Sequence, residues 1–139
     1  MITNWLMSKN LNPENLLNSF ADELNKGNLS YLLSLYDTDA CFVSQSGEIV
    51  KGQENIGQII QKFIDMNGKL ETSVKNVFSA RDVALVISEW SFCGIGPDGK
   101  AVSLKGKATD VLRQQPDATW RILIDNPWGT DIQTGYEKN

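Results

Sequence analysis

Histidine is absent from this chain of 139 residues, and only two cysteines and four prolines occur. Without imidazole the usual proton carrier near neutral pH is missing, and no serine or cysteine has the base that ordinarily activates it as a nucleophile. Cys41 and Cys93 are far apart in sequence with no CxxC spacing, so no zinc centre is expected, and both are read as reduced thiols buried in strands. Long apolar runs are also missing. No stretch reaches the roughly 18 residues a membrane span needs, and Met1 to Met7 lacks the basic region and sustained apolar core of a secretory signal. Nor is there an excess of positive charge: 13 Lys and Arg against 17 Asp and Glu give a net charge of -4, which disfavours a phosphate-backbone partner. The expectation is a cytoplasmic protein with neither nucleic acid nor membrane as partner and with no metal or cofactor.

What is present is a globular composition, 41% hydrophobic and 22% charged, with four Trp and five Phe, in a length that closes one hydrophobic core. Asn12, Pro13 and Glu14 form a helix start. Leu16, Leu17, Phe20 and Leu24 recur at helical spacing, Gly27 stops that helix, and Asn28 caps a second carrying Leu29, Leu32, Leu33 and Tyr36. Cys41 to Ser44 and Glu48 to Lys51 read as short strands. Ile56, Ile59, Ile60, Phe63 and Ile64 stripe a third helix from about Glu54 to Met66. Four long strands follow, Leu70 to Ala80, Val83 to Ile95, Lys100 to Gln114 and Thr119 to Asn126, parted by Arg81-Asp82, Pro97-Asp98 and Pro116-Asp117. Helices first and a meander afterwards predict an α+β domain, with helices on one side of a curved antiparallel sheet. Gly94, Gly96 and Gly99 spell GxGxxG, but they join two strands and no helix follows, so a dinucleotide site is not expected. Asp37-Thr38-Asp39 is read as a capped turn and not as a cation site.

If the last two hairpins have loops of two or four residues, cross-strand partners follow. Asp110 then opposes Leu85 and Leu123, and Ala108 lies between Ile87 and Asp125. One face so defined carries Val83, Leu85, Ile87, Cys93, Leu112 and Leu123, interrupted by Glu89, Asp110 and Asp125. It is assigned to the helix-covered interior. Asp110 and Asp125 become diagonal neighbours with α-carbons roughly 7 to 8 Å apart, near enough to raise each other's pKa or to share one ligand. Pairing with a cation such as Arg121 is the structural alternative for each acid. The opposite face, with Trp90, Phe92, Trp120 and Ile122, is expected to be covered by a second copy in a homodimer.

These segments resemble the nuclear transport factor 2-like superfamily, in particular its SnoaL-like and ketosteroid-isomerase-like branch. The resemblance rests on Gly27-Asn28-Leu29, Leu35-Tyr36-Asp37-Thr38-Asp39-Ala40, Lys51-Gly52-Gln53-Glu54-Asn55-Ile56, Ala108-Thr109-Asp110-Val111-Leu112-Arg113 and Trp120-Arg121-Ile122. It implies a cystatin-like cone, a curved sheet wrapped around three helices from the N-terminal half with an interior pocket, over residues 12–129, with an extension at 1–11 and a tail at 130–139. Ketosteroid isomerases combine an aspartate base with an oxyanion hole of a tyrosine and a protonated carboxylic acid. By the resemblance, the protonated acid falls on Asp110, the tyrosine on Phe20 and the base on Ser44. A phenyl ring and a neutral serine cannot fill the last two roles, so steroid isomerisation by that mechanism is not expected.

The leading expectation is a pocket for a small apolar or aromatic molecule, with cofactor-independent acid-base chemistry such as isomerisation, cyclisation or dehydration of a carbonyl compound. Asp110, neutral, would donate to a developing oxyanion, and Asp125 or Glu89, ionised, would move the proton. Phe20, Tyr36, Phe42, Ser44, Leu123 and Trp128 are the candidates for the wall. A pocket that binds without catalysis and a dimeric protein-interaction domain remain as the alternatives.

Overall fold

A computed structural model describes residues 11–132. The extension up to residue 10, including the segment read for a secretory signal, and the tail from 133 lie outside the described residues. Helix α1 (Pro13–Asn25) starts as its sequence predicts: the Asn12 side chain accepts the Asn15 N–H at 2.7 Å, and proline occupies the first turn. Helix α2 (Leu29–Ser34) is capped by Asn28, and α3 (Gln53–Asp65) turns Ile56 and Ile60 into the core. No helix among the described residues is long and apolar enough to cross a membrane.

Strands β1 (Tyr36–Val43), β2 (Ile49–Lys51), β3 (Lys69–Ala80), β4 (Val83–Ile95), β5 (Ala101–Gln114) and β6 (Trp120–Asp125) form one sheet in the order β2-β1-β6-β5-β4-β3. The α+β class is as expected. Neighbours are antiparallel except for the parallel pair β1 and β6, which places the start of the sheet beside its end. Strand β1 begins at Tyr36, so Tyr36 is a strand residue and Asp37-Thr38-Asp39 is not a turn. The reason is a partner distant in sequence. Asp37, 1% exposed, accepts the Arg113 guanidinium through Nε at 3.0 Å and an Nη at 2.8 Å, and the Gln115 amide at 2.8 Å. This fork clamps β1 to the end of β5, and a two-pronged guanidinium contact is the strong form of such a bond.

Register departs from the sequence expectation at both hairpins. Val86 faces Asp110 and Ser88 faces Ala108, because the β4–β5 turn encloses an odd number of residues. Gly96 N–H bonds to Lys100 O at 2.8 Å, and Gly99, at φ +79°, donates its N–H to Gly96 O at 2.9 Å. An odd loop flips every side chain of one strand relative to the other. The interior face of β4 is therefore Ala84, Val86, Ser88, Trp90 and Phe92, and Val83, Leu85, Ile87, Glu89 and Cys93 point outward. Phe92 and Ile122 are each 2% exposed, so the residues expected at an outer dimer face, Trp90, Phe92, Trp120 and Ile122, are core-facing instead. Cys93, expected to be buried, is exposed, and Cys41 is half-buried.

The core gathers Leu16, Leu17 and Leu24 of α1, Tyr31 and Leu32 of α2, Ile56 and Ile60 of α3, and the inner sheet residues Tyr36, Val86, Phe92, Leu112 and Ile122. Each such fully buried large side chain contributes about 1.5 to 3 kcal/mol relative to exposure. The inner face is not filled to its end, and the space left between α1, α3 and the sheet is the site.

Candidate functional site

A cavity of about 130 Å³ opens between helices and sheet. Phe20 of α1 and Ile59 and Phe63 of α3 line it on one side; Phe42, Thr72, Ser88, Trp90, Ala108, Ile122 and the segment Pro127-Trp128 line the other. Its walls are mostly apolar and rich in aromatic rings. Phe63 meets Phe92 edge-on with centroids 5.3 Å apart, and Trp128 meets Trp90 in the same way at 5.1 Å. The Trp90 indole N–H donates to Pro127 O at 2.6 Å, which ties the segment after β6 across the cavity mouth. Asn126 supports the same segment by donating from its amide to Thr109 Oγ1 at 2.9 Å and to Gly129 O at 3.2 Å.

Polar groups converge at one place on this apolar wall. Tyr36 O–H donates to Asp125 Oδ2 at 2.5 Å, and the Asn126 backbone N–H donates to Asp110 Oδ1 at 2.8 Å. Asp110 and Asp125 also hydrogen-bond to each other. Burial is the main cause that pushes the Asp110 carboxyl well above the ordinary carboxylate range; the charge of Asp125 adds to it and the Asn126 N–H opposes it. Burial raises Asp125 too, but the hydrogen bonds it receives from Tyr36 and Asp110 favour its charged form. Burial and the Asp125 charge hold the Tyr36 phenol well above its usual value, so it remains a donor. The result is an ordered pair: Asp110 keeps the proton and Asp125 gives it up first. Two identical side chains then offer an acid and a base side by side, with no cation among the cavity-lining residues.

Residues 17–127 match the SnoaL-like domain family. The chain belongs to the SnoaL-like family. No curated protein matches the sequence. Among solved structures, this SnoaL-like domain is similar to a ketosteroid isomerase-like protein from Erwinia carotovora atroseptica (13% identity, 81% of this chain and 88% of that one, TM-score 0.70). It is also similar to an NTF2-like protein with a cystatin-like fold from Novosphingobium aromaticivorans (16% identity, 81% and 75%, TM-score 0.67), and to a conserved protein from Planctomyces limnophilus (14% identity, 80% and 88%, TM-score 0.73). At such identities the likeness is one of fold, the cystatin-like cone expected from the sequence.

Of the residues singled out from sequence, Asp110, Asp125, Phe20, Tyr36, Phe42 and Trp128 line the SnoaL-like cavity. Glu89 does not. It stands on the outer face of β4, half exposed, with Lys75 Nζ at 3.5 Å, because the odd β4–β5 loop reverses its parity. Leu123 sits at the register shift between Val111 and Leu112 on β5 and their partners Ile124 and Ile122; this bulge turns it away from the cavity. Ser44 belongs to the turn before β2, bonded to Ser46 Oγ at 2.8 Å and to the Glu48 backbone. The same bulge brings Asp125 inward opposite Asp110, so the expected pairing of the two acids holds through a different register. Sequence reasoning missed Thr72, Ser88, Trp90, Phe92 and Pro127. The alternation in β4 offered no guide, since Ala84, Val86, Trp90 and Phe92 are as apolar as Val83, Leu85 and Ile87. Gly106, on β5 opposite Trp90, was the available signal: a Cβ there would lie 2.9 Å from the indole, so the glycine marks where a large ring packs inward.

Proposed function

We propose that this SnoaL-like domain binds a small, apolar carbonyl compound and catalyses cofactor-independent proton transfer on it, in the manner of an isomerase, cyclase or dehydratase. The observation that carries the reading is the Tyr36–Asp125–Asp110 network on the floor of an aromatic cavity. Asp125, ionised and steadied by Tyr36, takes a proton from the carbon next to the carbonyl; Asp110, protonated, donates to the oxygen as negative charge develops there. Glu89 has no part in it. The apolar walls supply affinity for the carbon skeleton and keep bulk water from the exchanged proton.

The test needs no knowledge of the natural substrate. Deuterium wash-in at the α-carbons of cyclohexanone in heavy water, followed by NMR, is expected to run faster with the protein than in buffer, and Asp125→Asn is expected to lower the protein-dependent rate by about 10²-fold or more, the usual scale for a positioned base. The rate should fall on the acid side as Asp125 protonates and on the alkaline side as Asp110 ionises. Cyclohexanone that binds and exchanges no faster than in buffer would support the second reading, a pocket without catalysis. That reading is favoured by Phe20, which lines the cavity and has no hydroxyl where the ketosteroid-isomerase-like pattern carries a tyrosine.

The molecule as a homodimer belongs to the same reading, but with the opposite face from the one expected. Phe78, Val83 and Leu85 point outward from β3 and β4 at 56%, 40% and 38% exposure, with Phe78 paired across to Leu85 and Leu85 to Val111. A contiguous apolar patch on an open sheet face fits burial against a second copy. The compartment in which the protein works is proposed as cytoplasmic.

A further inference from the structure

Ser88 is 2% exposed as a residue and lines the cavity; its hydroxyl bonds to no described residue, and because the one fully enclosed unpaired side-chain atom among them is Asn126 Oδ1, the Ser88 oxygen opens on the cavity. A hydroxyl that faces an apolar cavity without a protein partner is free to bond to water or to a polar group of a ligand. Its position explains what it can serve. Ser88 faces Ala108 across the β4–β5 ladder, and Asp110 is two residues further along on the same face, which makes Ser88 and Asp110 diagonal neighbours with α-carbons roughly 7 to 8 Å apart. Thr72, next to Val74 on the cavity side of β3, lies close by: Val74 faces Ser88 and Thr72 faces Trp90. The cavity therefore has two polar regions on an apolar surface, the Tyr36–Asp125–Asp110 network and, about one small ring away, the Ser88 hydroxyl with that of Thr72 near it.

We propose that Ser88 is a second polar subsite and that the ligand is a neutral ring compound with two oxygen functions on opposite sides, a carbonyl at Asp110 and a hydroxyl or second carbonyl at Ser88. An anion is disfavoured because two carboxyl groups and no Lys or Arg line the cavity. A hydrocarbon ring with one oxygen would leave the Ser88 hydroxyl unpaired. A second oxygen at the far side satisfies it, and selectivity for such a molecule follows, since a site built around a buried polar group rejects the analogue that cannot pair with it. This inference deepens the proposed function and rests on it.

The test compares 4-hydroxycyclohexanone with cyclohexanone in NMR titrations of the labelled full chain. The wild-type protein is expected to bind the hydroxyketone about fivefold more tightly, the effect of one additional net hydrogen bond. Ser88→Ala is expected to erase that preference and leave cyclohexanone affinity unchanged, and Ser88→Cys, nearly isosteric but a weak donor, to do the same. In the ligand-free state Ser88→Ala should melt at the same temperature as wild type or higher, because no hydrogen bond within the protein is lost. Equal binding of both ketones by the wild type, or a preference that survives both substitutions, overturns the subsite and leaves the proton-transfer reading intact. Loss of affinity for both ketones alike in Ser88→Ala also overturns it, since the role would then be structural. Failure of both ketones to bind the wild type removes the proposed function and this inference together, and failure of the hydroxyketone alone removes only the inference.

Discussion

Asp110 and Asp125 have the same side chain and different chemistry because their neighbours differ. Asp125 receives hydrogen bonds that stabilise charge; Asp110 receives one backbone N–H and faces a neighbouring negative charge. This asymmetry has a consequence for stability. The unfolded chain releases the Asp110 proton near the ordinary value of about 3.9, whereas the folded protein holds it to higher pH, so the native state binds more protons in that interval and loses stability as pH rises through it. Asp110→Asn imitates the protonated acid, with an oxygen to accept from Asn126 and an amide to donate to Asp125. Urea unfolding measured across pH should therefore show a shallower decline above about pH 4 in the variant than in wild type; an unchanged slope would mean that Asp110 is not the group that holds the proton. Asp37 acts in the opposite sense. Burial works to raise it, but the donors from the Asp39 N–H, Arg113 and Gln115 outweigh that and lower its pKa, so its contribution is present above the ordinary Asp value and is lost as pH falls through its folded value.

At the level of elements, the site depends on two loops and one bulge. Both terminal hairpins have odd turns: Gly99 at φ +79° closes one, and Ala118 at φ +72° closes the other, where Gln115 N–H bonds to Thr119 O and Ala118 N–H to Gln115 O. The bulge in β6 shifts the register once more. For Asp125 the odd turn and the bulge cancel, so its inward direction was legible from alternation; for Glu89 and Leu123 only one shift applies, and the same alternation misplaces them. Alanine in the left-handed region gives no sequence warning of the kind that glycine does. Gly106 holds the other end of the site by leaving space for Trp90 and, through it, the bond to Pro127. Gly106→Val is expected to displace the indole, lower the unfolding free energy by about 1 to 3 kcal/mol as overpacking does, and change tryptophan fluorescence. A variant with wild-type emission and stability would mean that the indole can move without disturbing the strap.

For the molecule as a whole, the helices cover one face of the sheet and leave Phe78, Val83 and Leu85 bare on the other. If that face is the homodimer contact, Leu85→Lys should convert the protein to a monomer in light scattering, since a lysine opposite Phe78 would have to be desolvated in the interface. A monomeric wild-type mass independent of concentration would remove the dimer. The variant leaves the cavity untouched, so deuterium exchange in the resulting monomer would also report whether each copy works alone.

Local rules acting within the chain determined the number and type of elements: Asn12 and Pro13 start a helix, apolar residues at helical spacing bury one face, and Pro-Asp pairs break the long strands. They also marked Asp110 and Asp125 as acids on an apolar face, and the family resemblance indicated the cone. The tertiary structure decided which face of β4 points inward, placed Tyr36 in β1 through the Asp37–Arg113 clamp, and put Ser88 in the cavity. The physical reason is that strand parity is set by the count of residues in a turn or bulge, and one residue more reverses a face whose two sides are equally apolar.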